Sequence, residues 1–101
     1  MTEIEVQNSL LPSLKRALSG VVVRSLRQAS IEADWTRMVV RLLYEIDPTA
    51  TAEERDLLSV AAAEVIADFS SPWRIQERYS VAPTLSPLAN VGYLRVAAPG
   101  T

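Results

Sequence analysis

Between Thr51 and Phe69 the chain reads TAEERDLLSVAAAEVIADF, and Leu57, Leu58, Ala61, Ala62, Val65, Ile66 and Phe69 recur at the spacing of one helix face. The pattern predicts an amphipathic helix. Thr51 followed by Glu54 fits a capping box, which marks where that helix starts. A first helix is predicted from Ser9, a good N-cap, to Gly20, with Pro12 in its first turn and Lys15 and Arg16 in its C-terminal half. Leu11, Leu14 and Leu18 then share a face. Residues 1–8 are expected to be a frayed arm, from which Ile4 and Val6 extend the packing.

From Val21 to Ile46 the apolar period changes to two. A turn at Asp34-Trp35 pairs Glu32 with Arg37, Ile31 with Met38, Ala29 with Val40 and Gln28 with Arg41, which separates an apolar face from a polar one. Met38, Val40, Leu42, Tyr44 and Ile46 point inward in this reading, and Arg37, Arg41 and Glu45 outward. Asp47-Pro48 ends the strand. Beyond the break at Ser70-Ser71-Pro72, Trp73 to Val81 alternates again, with Trp73, Ile75, Tyr79 and Val81 on one side and Glu77 interrupting it. APTLSPLAN, residues 82–90, reads as a loop, Val91 to Ala97 as a final strand, and 98–101 as tail. The expectation is an α+β fold of order α-β-β-α-β-β in a single domain over 1–101. Its four-stranded, mostly antiparallel sheet carries both helices on one face and leaves the other to solvent or a partner.

A chain of 101 residues supports one core but little enclosed substrate cavity, and 49% hydrophobic with 22% charged residues is ordinary globular composition. Neither cysteine nor histidine occurs, which removes thiolates, imidazoles and disulfides together. Carboxylates are left as the only strong groups for acid–base work or metal ligation. The reading is therefore of a protein that is not an enzyme, with no cofactor and no metal. The N-terminus lacks the basic region of a signal peptide, and no run approaches the ~18 apolar residues of a membrane span, so a cytoplasmic location and no membrane partner are expected. A net charge of −2 argues against nucleic acid as partner. Nine of the ten basic residues are arginine; genome composition produces that bias as readily as function does.

Two charged constellations are candidates for partner binding. Glu45, Asp47, Glu53, Glu54 and Asp56 gather where the second strand meets the second predicted helix, with Arg55 as the nearby opposite charge. Acids in a first helical turn complement the helix dipole without any ligand, and the spacing of a calcium loop is missing. Arg37, Arg41, Arg74 and Arg78, with Gln28, Gln76 and Glu32, would form an Arg-rich sheet face. RNA platforms add aromatic rings to such a face, and here Tyr44 and Tyr79 fall on the inward phase, which leaves Tyr93 as the exposed ring. Glu64 and Asp68, one turn apart, read as a solvent edge of the helix. Trp35 and Trp73 read as rim packing.

The succession LKRALSG, SLRQASIEAD, MVVRLLYEIDPTATAEERD, AAAEVIADF and YLRV resembles a family of small bacterial immunity proteins associated with contact-dependent inhibition and related toxin systems. AEVIADF, residues 63–69, is the strongest match, and the resemblance covers most of residues 14–97. The chain departs from it at the end of the second strand, where LLYEIDP stands in place of an FYFDGE-like sequence. The resemblance implies a noncatalytic protein that binds a cognate toxin domain and blocks it. The expected contact residues are Glu45, Asp47, Glu53 and Asp56, since an acidic surface steers a basic partner. The alternatives are a homo-oligomeric, possible homodimer module using the open sheet face around Arg37 and Arg41, and a small RNA-binding protein.

Overall fold

Both helices begin at capping boxes. The computed structural model describes residues 1–95, and in it α1 (Glu3–Leu18) starts at Thr2. The Thr2 hydroxyl accepts the Glu5 N–H at 3.1 Å while the Glu5 carboxylate accepts the Thr2 N–H. The residues expected to form an arm are thus the first turns of the helix. Ser9 is no cap: its hydroxyl donates to the Glu5 carbonyl at 2.7 Å. Pro12 falls mid-helix, where it removes the donor that would meet the Asn8 carbonyl. Val6, Leu10 and Leu14 are fully buried, whereas Leu11 and Leu18 are half-buried, so the buried stripe is rotated from the expected one. Each of those large side chains contributes roughly 1.5–3 kcal/mol by leaving water.

β1 (Leu26–Asp34) and β2 (Val39–Ile46) form the expected hairpin in a different register. Glu32 pairs with Arg41, Ile31 with Leu42, Ala29 with Tyr44 and Gln28 with Glu45, four residues from the pairs expected with Arg37, Met38, Val40 and Arg41. The turn is Trp35 to Met38, closed by the Arg37 N–H donating to the Asp34 carboxylate at 3.1 Å and by Met38 at a positive φ of 54°. An even displacement leaves each residue on its face. Val40, Leu42, Tyr44 and Ile46 accordingly point into the core, while Met38 packs at its margin from the turn.

α2 (Ala52–Ala67) has the expected Thr51–Glu54 capping box and buries Leu58, Ala61, Ala62 and Val65, with Phe69 following. Ile66 is half-buried. Leu57, expected on the stripe, is exposed together with Val60. The helix carries the chain from β2 to β3 (Arg74–Ser80), which lies parallel to β2 at a sheet edge. β4 (Asn90–Leu94) lies antiparallel to β1 at the opposite edge, giving the order β3-β2-β1-β4. The sheet is mixed but mostly antiparallel, in an α+β fold of the expected element order. The final strand, expected over Val91 to Ala97, ends at Leu94; residues 96–97 of that expectation and the 98–101 tail lie outside the described residues.

α1 packs on β1 and β4, α2 on β2 and β3, and the helices touch each other over one face of the sheet. Close approach is built in at Gly92, where a Cβ would stand 2.6 Å from Cδ2 of buried Leu14. The Tyr44 hydroxyl crosses the layer to donate to the Leu58 carbonyl at 2.8 Å. Glu77 sits on the inward phase of β3 because it has partners there: the hydroxyls of Ser59 and Tyr79 donate to it at 3.1 and 2.7 Å. Burial raises the phenol pKa of both Tyr44 and Tyr79, and Glu77 adds to the shift at Tyr79. Phe69, Trp73 and Trp35 stack in sequence at 6.1 and 5.8 Å, so both tryptophans are packing residues, as the sequence reading held.

The strand order imposes one further element. β3 and β4 occupy opposite edges with the same polarity, so residues 81–89 must traverse the sheet, and they do so over the face that carries no helix. The segment is anchored by hydrogen bonds. Arg27 donates to the carbonyls of Ala82 and Pro83, both at 2.7 Å, the Ser86 N–H donates to Glu45 at 2.6 Å, and the Leu88 N–H donates to the Ser30 hydroxyl at 2.9 Å. Part of the face expected to be open, around Ser30 and Glu45, is therefore covered.

Candidate protein-binding surface

The acidic constellation is not one surface. Glu45 is 2% exposed, with one carboxylate oxygen accepting from the Gln28 side chain at 2.7 Å and the other from the Ser86 N–H. Asp47 is clasped by Arg95 through two hydrogen bonds of 2.7 and 3.2 Å, with Arg27 at 3.9 Å. Glu54 completes the capping box and also receives the Ser25 N–H at 3.4 Å. Glu53 and Asp56 alone project freely from the start of α2. Asp68, read as a solvent-edge partner of Glu64, instead caps α2 and ties it to α1, accepting from the Ser13 hydroxyl at 2.5 Å and from Arg16.

Three carboxylates have their pKa held below the ordinary range. At Asp47 the leading cause is hydrogen bonding from Arg95, at Glu54 the Thr51 N–H, and at Asp34 the Arg37 N–H. A carboxylate whose folded pKa lies below its unfolded value stabilises the fold above the unfolded value and loses that contribution as pH falls through the folded one. The melting temperature is therefore expected to hold from neutrality to about pH 4 and to decline below it. Asp47→Asn should melt lower at neutral pH and decline less steeply in acid, which melting curves across that range would check.

The arginine constellation does form one surface. Register places Arg74 beside Val39, Gln76 beside Arg41 and Arg78 beside Leu43, and β1 sets Asp34 beside Val39 and Glu32 beside Arg41. Arg41 bridges both acids, to Glu32 at 3.1 Å and to Asp34 at 3.0 Å, and is thereby fixed in place. Arg37, three-quarters exposed, rises from the turn 3.9 Å from Asp34. Arg37, Val39, Arg41, Arg74, Ile75 and Gln76 line a groove of about 410 Å³. The crossover segment stops short of it: its last contact is the Ala89 N–H with Glu32 at 3.4 Å.

A second opening of about 430 Å³, which the sequence reading missed, lies where the α1–β1 connection meets β4. Leu18, Val21, Val22 and Tyr93 are among its lining, and Val22 and Leu94 are exposed beside it. Its signal was the run Val21-Val22-Val23, apolar at successive positions where an alternating strand would be polar at every second one.

Among the described residues no helix is long and apolar enough to cross a membrane, and no three carboxylates stand close enough together to hold a metal ion. A search of curated proteins returns no match for the chain. The family model of the MafI2 immunity protein, in contrast, matches residues 7–95. The chain belongs to the MafI2 immunity protein family. The match takes in α1 from its second turn, the whole sheet, α2 and the crossover segment. In this MafI2-family chain the residues that line the arginine groove and the segment bounding it all lie within the matched span.

Proposed function

We propose that this chain is a noncatalytic immunity protein that binds a cognate toxin domain in the cytoplasm and blocks it. The observation that carries the reading is the family match over residues 7–95. A surface suited to the role supports it: the groove between β2, β3 and the hairpin turn presents Arg37 and Arg74 on a rigid sheet, with Arg78 beside it. Arginine is enriched in interface hot spots because its planar fork forms directional pairs at modest entropic cost. Arg41 stands within this contact in our reading, whereas Glu53 and Asp56, at the start of α2, lie at the other end of β2 on the helix-bearing face. Glu45 and Asp47 serve inside the fold. Co-expression with the toxin domain encoded beside this chain's gene should restore growth that the toxin alone arrests. Continued arrest with abundant folded chain would reject the assignment.

A second reading, self-association, is favoured by one observation. Val91, Tyr93 and Leu94 are exposed on the edge strand β4, next to the apolar opening at Val22. That edge suits a copy of the chain better than the arginine face does, because a two-fold contact sets like charges against each other. Sedimentation of the isolated protein over a concentration series distinguishes a dimer from a monomer.

A further inference from the structure

The arginine groove has a charge imbalance that its own sheet does not resolve. Three guanidinium groups, from Arg37, Arg41 and Arg74, share the uncovered part of this face with two carboxylates, Glu32 and Asp34, and Arg41 engages both. Arg78 stands further along β3 at the margin of the crossover segment, beside Thr84, Ser86 and Leu88. Among the described residues neither Arg74 nor Arg78 has a carboxylate within ion-pair distance, and the Arg37 contact is long. On a chain of net charge −2 this is a local reversal of sign, held on strands rather than on a mobile tail.

The surroundings narrow the kind of anion. Nucleic acid bound to such a sheet would need exposed rings for base stacking. Trp35 and Trp73 pack on each other, Tyr44 and Tyr79 pack together in the other layer at 5.5 Å, and Tyr93 stands on the far edge strand. Among the described residues no ring lines the groove. It offers instead guanidinium forks beside the aliphatic side chain of Val39, a combination that matches carboxylate head groups on short alkyl stems, while the Ile75 side chain turns to the core beside Val40.

We infer that the groove receives an acidic loop of the partner, whose aspartate or glutamate side chains pair with Arg37 and Arg74 and reach Arg78 at its margin. The inference rests on the toxin-binding reading above and reverses the polarity expected from the acidic junction. Arg41 is a positioning residue here, since Glu32 and Asp34 already occupy its fork.

The test combines Arg37→Glu, Arg74→Glu and Arg78→Glu in one variant and measures its association with the neighbouring toxin domain at low and high salt. The expected result is an association rate lowered at least about tenfold at low salt, with most of the salt dependence lost. The melting temperature should stay near that of the wild type, and Glu53→Lys with Asp56→Lys should leave the rate within about twofold. Should the triple variant fail to fold, Arg74→Ala with Arg78→Ala carries the same measurement with a smaller slowing. A wild-type rate in the folded variants overturns the inference while leaving the immunity reading intact. Displacement of the toxin by a single-stranded RNA oligonucleotide would reassign the groove to nucleic acid. A wild-type chain that does not bind the toxin domain at all overturns both.

Discussion

Ala62→Asp is expected to abolish the folded state at ordinary temperatures. Ala62 is wholly buried in the middle of α2, flanked along the same face by Leu58, Ala61 and Val65. An aspartate there loses its hydration and gains no cation or donor, a cost of more than about 4 kcal/mol. A small domain has only about 5–15 kcal/mol to lose. Ile66→Asp on the same helix is the informative comparison. Ile66 is half-buried, so a carboxylate can turn to water and the loss should stay within about 2 kcal/mol. Circular dichroism melts of the two variants would check this, and a normal transition for Ala62→Asp would mean that the helix packs by another face.

Glu45→Ala should be the most damaging change on the opposite side of the sheet. It removes the acceptor for both the Gln28 amide and the Ser86 N–H, and leaves a buried donor unpaired beneath a crossover segment that has lost an anchor. The expected loss is about 2–3 kcal/mol, or roughly 10–20 °C in melting temperature for a domain of this size. Glu45→Gln keeps an acceptor oxygen and should recover most of it. Limited proteolysis gives a local readout, because only the alanine variant should be cut readily between residues 81 and 89. An unchanged melt and digestion pattern for Glu45→Ala would show that the segment is held by its other contacts.

The parts of the fold legible in the sequence were those written in local rules. The Thr51–Glu54 box and the Leu58-Ala61-Ala62-Val65 spacing place α2 almost to the residue, because both signals lie within a few residues of each other. The same rule would have placed α1, since Thr2 and Glu5 form the same box, but Ser9 offered a competing cap nearer the apolar stripe. In the hairpin, alternation fixes which face a residue takes and leaves the register free by steps of two. The four-residue displacement therefore left Ile31, Leu42 and Tyr44 correctly inward while changing every partner. Glu77 looked like a break in phase because Ser59 and Tyr79, which satisfy it, are set by tertiary structure.

The candidate surface was legible in membership and illegible in status. Periodicity groups Arg37, Arg41, Arg74 and Arg78, and register sets Arg74 and Arg78 on the strand beside Arg41, with Arg37 rising from the adjoining turn. Which charges remain available depends on pairings across the chain. Glu45 and Asp47 are as acidic in sequence as Glu53 and Asp56, and it is Ser86 and Arg95, some forty to fifty residues away, that engage them.

The position of β4 sets the order in which the fold can be completed during synthesis. Its partner β1 leaves the ribosome about sixty residues earlier, and Ile31 waits for Asn90, Ala29 for Tyr93. The hairpin and the β2–α2–β3 unit can assemble in that interval from contacts of modest separation, but the outer edge of β1 stays without a neighbour until the last strand emerges. Loop closure over that distance is slow, so docking of β4 should be the final event in folding, with Gly92 sliding beneath Leu14 as the helix layer and the sheet come together. Nascent chains stalled before Asn90 should accordingly be the most prone to pair with one another, edge to edge along β1.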